Sequence, residues 1–256
     1  MNISGAELGG VGAPRATPWR LAKQVTKRLL AYQPLGATEG VRRLLSETYE
    51  AGAPYCPPAE GDLLYMLVTT HRLARCLQVG FATGSTALYL LAGAVPLRGE
   101  VLSIDLPSGK FNALGLDNLE RGGFASSHRL VEENSSLALP RLHASGACFD
   151  LVVVDGWKTF DHLAMEVYFL SRMLSVSGFM VFDDTKMPSV DRVVRLLVSH
   201  YGYEEIDYRA HGQPWGHGLL HILTQRTLRR PYRAFQKTAS ESDLPISVDW
   251  AFWDPF

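Results

Sequence analysis

The chain has little of what marks the more specialised protein classes. Its 256 residues hold three cysteines, Cys56, Cys76 and Cys148, without Cys-x-x-Cys spacing. That argues against a disulfide framework or a thiolate zinc site and fits a reducing compartment. No apolar run is long enough to span a bilayer, and the N-terminus lacks a basic-then-apolar signal, so a cytoplasmic chain with no membrane partner is expected. Neither sign of charge dominates: 25 Lys and Arg face 26 Asp and Glu. Nothing therefore draws the chain toward nucleic acid, and Arg229-Arg230 is too short for a basic patch. The Gly-x-Gly-x-x-Gly fingerprint is absent, so the pyrophosphate of a dinucleotide is not the expected ligand. What remains, 46% hydrophobic and 20% charged, is an ordinary globular composition.

Along the chain, residues 1–17 read as a Gly/Ala/Pro-rich arm. Helical spacing predicts a helix from Pro18 to Tyr32 and another from about Thr38 to Tyr49, ended by the proline-rich stretch Ala51 to Pro58. Residues 1–57 are thus expected to form an N-terminal arm and helical lid. From Glu60 onward helices and short apolar runs alternate. Strands are predicted at Cys76–Val79, Val101–Ile104, His128–Val131, Phe149–Val154 and Phe179–Phe182, with a closing edge hairpin of Tyr203–Tyr208 and Leu219–Leu223. Helices are predicted through Leu63 to Leu73, Thr86 to Leu91, Phe160 to Leu174 and Val190 to Tyr201. Such alternation implies an α/β core over residues 58–225, a doubly wound, mostly parallel seven-stranded sheet covered on both faces. Residues 226–256 are expected to be a tail packing on the domain or on a partner subunit. Its aromatic end, Trp250 to Phe256, is unusual for an exposed terminus and suits a homodimer contact.

The residues that stand out fall beyond strand ends, where open parallel sheets bind ligands. Gly80 and Gly84 bracket a tight turn that a ligand can approach closely, although two glycines alone mark a plain turn about as often. Asp105 ends the next strand, twenty-one residues past Gly84, where a carboxylate can accept from both ribose hydroxyls of an adenosine without phosphate. Asp155, Asp183 and Asp184 each follow an apolar strand. Converging there, they would repel unless protons or a cation intervened, and an all-oxygen set suits Mg²⁺. Simple helix or turn capping is the alternative for any one of them. Lys158 lies about one helical turn past Asp155. Beside a divalent cation its ammonium form is disfavoured, and it can then take a hydroxyl proton, although most lysines are solvated surface residues. Trp157 is either a wall for a flat substrate or core. His162, His211, His217 and His221 lack metal spacing and read as surface or structural.

These motifs together resemble the class I S-adenosylmethionine-dependent methyltransferases, and within them the metal-dependent O-methyltransferases of the catechol and bacterial small-molecule type. The resemblance covers roughly residues 58 to 224. It rests on Leu77-Gln-Val-Gly80-Phe-Ala-Thr-Gly84-Ser-Thr86, on Asp105, on Asp155-Gly-Trp-Lys158 and on Asp183-Asp184. It implies that Gly80, Phe81, Ala82, Gly84 and Thr86 cradle the methionine part of S-adenosylmethionine. Asp105 would hold the ribose, Asn134 and Ser135 the adenine, and Asp155 would border the same ligand. Asp155, Asp183 and Asp184 would hold Mg²⁺, with Lys158 as base toward a small-molecule acceptor carrying adjacent oxygens, a catechol or a sugar diol. Two positions depart from that family: Gln78 stands where an acid is usual, and Asp184 stands where the catechol-type enzymes have asparagine. A metal-independent methyltransferase and a catalytically inactive adenosine-binding scaffold are the competing expectations.

Overall fold

The computed structural model describes residues 34–206 and 231–240. The expected helix at 18–32, the run 219–223 and the aromatic end at 250–256 lie outside them. The described chain enters through a short 3-10 turn and two small helices, α1 (Glu39–Leu44) and α2 (Ser46–Glu50). These replace the one helix expected from Thr38 to Tyr49. Pro57 and Pro58 then start α3 (Pro58–His71), where a proline costs nothing because the first-turn N–H groups have no intrahelical acceptor.

From there the order is β1 (Arg75–Val79), α4 (Ser85–Ala94), β2 (Glu100–Asp105), α5 (Lys110–Arg121), β3 (His128–Glu132), α6 (Ser135–Ala144) and β4 (Phe149–Val154). It continues through α7 (Phe160–Met173), β5 (Leu174–Phe182), α8 (Pro188–His200), β6 (Tyr203–Glu205) and β7 (Arg233–Lys237). The seven strands lie in the order β3-β2-β1-β4-β5-β7-β6. The first five are parallel, and β7 runs antiparallel to both β5 and β6. The doubly wound sheet with an antiparallel edge is therefore as expected, but the strand beside β5 is Arg233–Lys237, within the segment read as tail.

Two other elements differ from the sequence reading. Helix α6 contains Pro140, which hides it from a periodicity argument because interior proline ordinarily breaks a helix. Strand β5 begins five residues earlier than Phe179. The chain passes through Ser177 in a left-handed conformation, and its register with β4 shifts there, so a strand irregularity mimics a helix end.

Alternation along the strands sorts the core into two faces. Leu151 and Val153 of β4 join Leu63, Leu64 and Leu67 of α3 and Leu88 and Leu91 of α4. Val152 and Val154 join Leu139 of α6, Leu163 and Val167 of α7, and Val190 and Val194 of α8. A strand buried on both sides must be apolar throughout, which is why Phe149–Val154 is legible. The connections reverse direction between β1 and β4, so the sheet opens a crevice beyond their carboxyl ends. Among the described residues no helix is long and apolar enough to cross a membrane.

Candidate active site at the carboxyl edge of the sheet

The crevice is built first from backbone. Gly80 continues β1 with φ +96°, and a Cβ there would stand 2.4 Å from the carbonyl oxygen of Asp155. Only glycine admits both the conformation and the approach. Ala82, at φ 44°, and Gly84, at φ 71°, are also left-handed. A non-glycine residue in that region carries strain that its surroundings must hold. What holds it is Asp105: one carboxylate oxygen accepts the N–H groups of Phe81 at 2.8 Å and Ala82 at 2.7 Å. The other accepts Leu106 N–H at 2.7 Å.

This gives Asp105 a task the sequence reading missed, because a hydrogen bond to a loop twenty-odd residues upstream leaves no trace in spacing. Phe81 likewise presents only its backbone: its ring is 2% exposed and stacks on His128. Thr86 is buried in the first turn of α4.

On the β3 side, the Asn134 side chain accepts Ser136 N–H and caps α6. Ser135 points inward, where its hydroxyl donates to Glu166 at 2.7 Å and lies 2.8 Å from His162 Nε2. Neither side chain is spare, so an adenine would meet this corner mainly through backbone and the helix end. His162 lies 3.2 Å from the buried Glu166 carboxylate and belongs to the same hydrogen-bonded group.

On the β4–β5 side, the three aspartates converge. Asp155 and Asp183 each stand one residue beyond the paired ends Val154 and Phe182, and Asp184 turns back through φ 55°. Asp155, Asp183 and Asp184 each offer an oxygen within 4.8 Å of the other two. Burial first, and then the Asp155 charge, raises the Asp183 pKa to about 6. Lys158 Nζ donates to Asp155 Oδ1 at 2.8 Å and lies 3.6 Å from Asp184 Oδ2. Burial opposes its ammonium form, yet the Asp155 carboxylate, with Asp184 and Asp183 behind it, outweighs burial and holds the pKa raised.

The donor set suits a hard divalent cation. Oxygens held around Mg²⁺ at about 2.0–2.1 Å stand closer together than that 4.8 Å limit, so a bound cation would draw the three carboxylates inward. Trp157, 66% exposed, belongs to the rim and not to the core.

Known proteins bear on this arrangement. Residues 77–185 match a family model described as a methyltransferase domain. Tricin synthase 2 of Oryza sativa subsp. japonica is 29% identical over 149 residues, covering 56% of this chain and 49% of the relative. The chain thus spans about half the length of that curated relative. The O-methyltransferase TomG from Streptomyces achromogenes, involved in tomaymycin synthesis and solved with S-adenosylmethionine, superposes with a TM-score of 0.59 at 17% identity, covering 86% of this chain and 97% of its own. An O-methyltransferase from Bacillus cereus solved with S-adenosylhomocysteine gives 0.58 at 14% identity, covering 84% and 94%. At such identities the likeness is one of fold. Domain match and fold point the same way: residues 77–185 match a methyltransferase domain, and the chain shares its fold with these two solved O-methyltransferases.

Proposed function

We propose that the protein is an S-adenosylmethionine-dependent O-methyltransferase acting on a small molecule with two adjacent oxygens, a catechol or sugar diol, with Mg²⁺ assistance. The observation that carries the reading is the meeting of Asp155, Asp183, Asp184 and Lys158 beside the Gly80–Gly84 loop.

Asp155, Asp183 and Asp184 would hold the cation. When bound, it supplies a Lewis acid that lowers the pKa of a ligated hydroxyl and favours a chelating pair of oxygens. The rest falls to the chain. With its carboxylate neighbours committed elsewhere, Lys158 loses the attraction that keeps it protonated, and Nζ can accept the hydroxyl proton. The rigid Gly80–Gly84 backbone, tied by Asp105, fixes the donor so that its methyl group faces the attacking oxygen. Trp157 is placed to flank a flat acceptor.

The test is formation of S-adenosylhomocysteine from a panel of catechols and vicinal diols, with Mg²⁺ and with EDTA. Turnover abolished by EDTA and restored by Mg²⁺ supports the reading. A metal-independent methyltransferase is the second reading, and the Lys158–Asp155 ion pair favours it, because that lysine already neutralises part of the cluster. Turnover unaffected by EDTA would select it.

A further inference from the structure

The groups that meet on the β4–β5 side come from two separate loops. Asp155 and Lys158 lie in the irregular stretch between β4 and α7, and Asp183 and Asp184 in the turn between β5 and α8. Pairing of β4 with β5 ends at Val154 and Phe182, and Asp183 N–H donates to the Val154 carbonyl at 3.3 Å. Past that point the ladder no longer sets how the two loops face each other. Lys158 depends on this most. Its side chain reaches Asp155 at 2.8 Å and Asp184 at 3.6 Å, but these are carboxylates that a cation would engage. A flexible four-carbon stem then has only the place of its own backbone to aim it.

That place is set from α8. Ser189 Oγ donates to the Lys158 carbonyl at 2.6 Å, across thirty-one residues. Ser189 follows Pro188 in the first turn of α8, where the fixed φ of proline suits a helix start. The turn before it is closed by Met187 N–H donating to the Asp184 carbonyl at 2.8 Å, and Asp191 N–H donates to the Met187 carbonyl at 3.0 Å. Val190, Val193, Val194 and Leu197 seat the helix in the core. Serine near a helix start commonly spends its hydroxyl on local backbone. Here the hydroxyl reaches across to another element, and it fastens the Lys158 loop to the helix that Asp184 leads into.

We propose that Ser189 is a positioning residue for proton transfer, holding the Lys158 backbone so that Nζ keeps its place beside the acceptor hydroxyl once the carboxylates are engaged. This rests on the function proposed above. A base must stand within hydrogen-bond reach of the proton it takes, and a small backbone displacement is carried outward to the tip of a long side chain. Because Ser189 acts through a backbone carbonyl, its effect falls on kcat and not on the binding of donor or acceptor.

The experiment is steady-state kinetics of the full chain on whichever catechol or vicinal diol it methylates, with kcat counted per S-adenosylhomocysteine site titrated by calorimetry. Ser189→Ala should lower kcat about three- to tenfold, the worth of one neutral hydrogen bond, with acceptor KM and S-adenosylhomocysteine affinity within about twofold. Ser189→Thr, which keeps the hydroxyl, should restore kcat to within about twofold. In a Lys158→Ala background the same Ser189→Ala change should cost less than about twofold, because the group it positions is gone. A second readout needs neither metal nor acceptor. Trp157 lies exposed in the same loop, so the ¹⁹F resonance of 5-fluorotryptophan at that site, assigned with Trp157→Phe, should shift or broaden in Ser189→Ala and return in Ser189→Thr. Wild-type kcat in Ser189→Ala, an unmoved Trp157 resonance, or an undiminished cost in the Lys158→Ala background each overturns this role and leaves the methyltransferase reading standing. No S-adenosylhomocysteine formed by wild type from any acceptor overturns that reading and this role with it.

Discussion

The Cβ that Gly80 lacks would stand 2.4 Å from the backbone carbonyl of Asp155. The loop that would carry the methyl donor and the residue that would carry the metal are therefore one rigid unit, joined where β1 and β4 end side by side. Gly80→Ala should damage both sites at once. The strained φ alone is worth on the order of 1–3 kcal/mol, and the contact adds to it. Calorimetry should find S-adenosylhomocysteine and Mg²⁺ affinities both reduced; loss of only one would mean the two sites are not mechanically joined.

Asp105 gives a contrasting case. Its carboxylate accepts three backbone N–H groups, and orphaning them costs on the order of 1–3 kcal/mol each where they are buried. Asp105→Ala should lower the melting temperature by several degrees and weaken S-adenosylhomocysteine at least about tenfold. Mg²⁺ affinity should stay within about twofold, because the β4–β5 carboxylates are untouched.

Lys158 is the group on which proton transfer rests. Lys158→Ala should leave S-adenosylhomocysteine binding nearly unchanged while lowering kcat by about two orders of magnitude or more. Steady-state kinetics on an identified acceptor checks this, and equal turnover in the variant removes Lys158 from the mechanism.

The acidic cluster predicts a pH dependence whose sign can be worked out. Burial and Asp155 raise the Asp183 pKa to about 6, above the ordinary carboxylate value of 3.8. The folded state therefore holds this proton more tightly than the unfolded state does. Between those two values the native state binds more protons, so this group's contribution to stability falls as pH rises and levels off above about 6. The metal-free protein should melt at a higher temperature at pH 5.5 than at pH 7.5 on this account. Asp183→Asn should flatten that difference. Mg²⁺ must displace the proton, so its affinity should fall as pH drops through about 6.

Much of this was open to reading in the sequence, for definite reasons. Phe149–Val154 is apolar throughout because both of its faces are covered, and the Asp residues after β2, β4 and β5 mark where buried strands reach solvent. Spacing alone therefore located Asp105, Asp155, Asp183 and Asp184. Hidden were features set by contacts between distant segments. The Asp105 bonds to Phe81 and Ala82 join two strand ends, and Ser135 turns inward only because Glu166 is there to accept. Pro140 and Ser177 misled local rules, since sheet packing tolerated an interior helix proline and a strand irregularity.

The shared rim of cation and donor is most directly tested by the ¹³C resonance of the S-methyl group of bound S-adenosylmethionine, recorded with and without Mn²⁺ and without acceptor. Paramagnetic broadening falls steeply with distance. The methyl signal should broaden beyond detection in wild type and stay sharp in the Asp155→Asn, Asp183→Asn double variant. A wild-type methyl resonance that stays sharp while Mn²⁺ is bound would place the cation away from the donor and contradict the account.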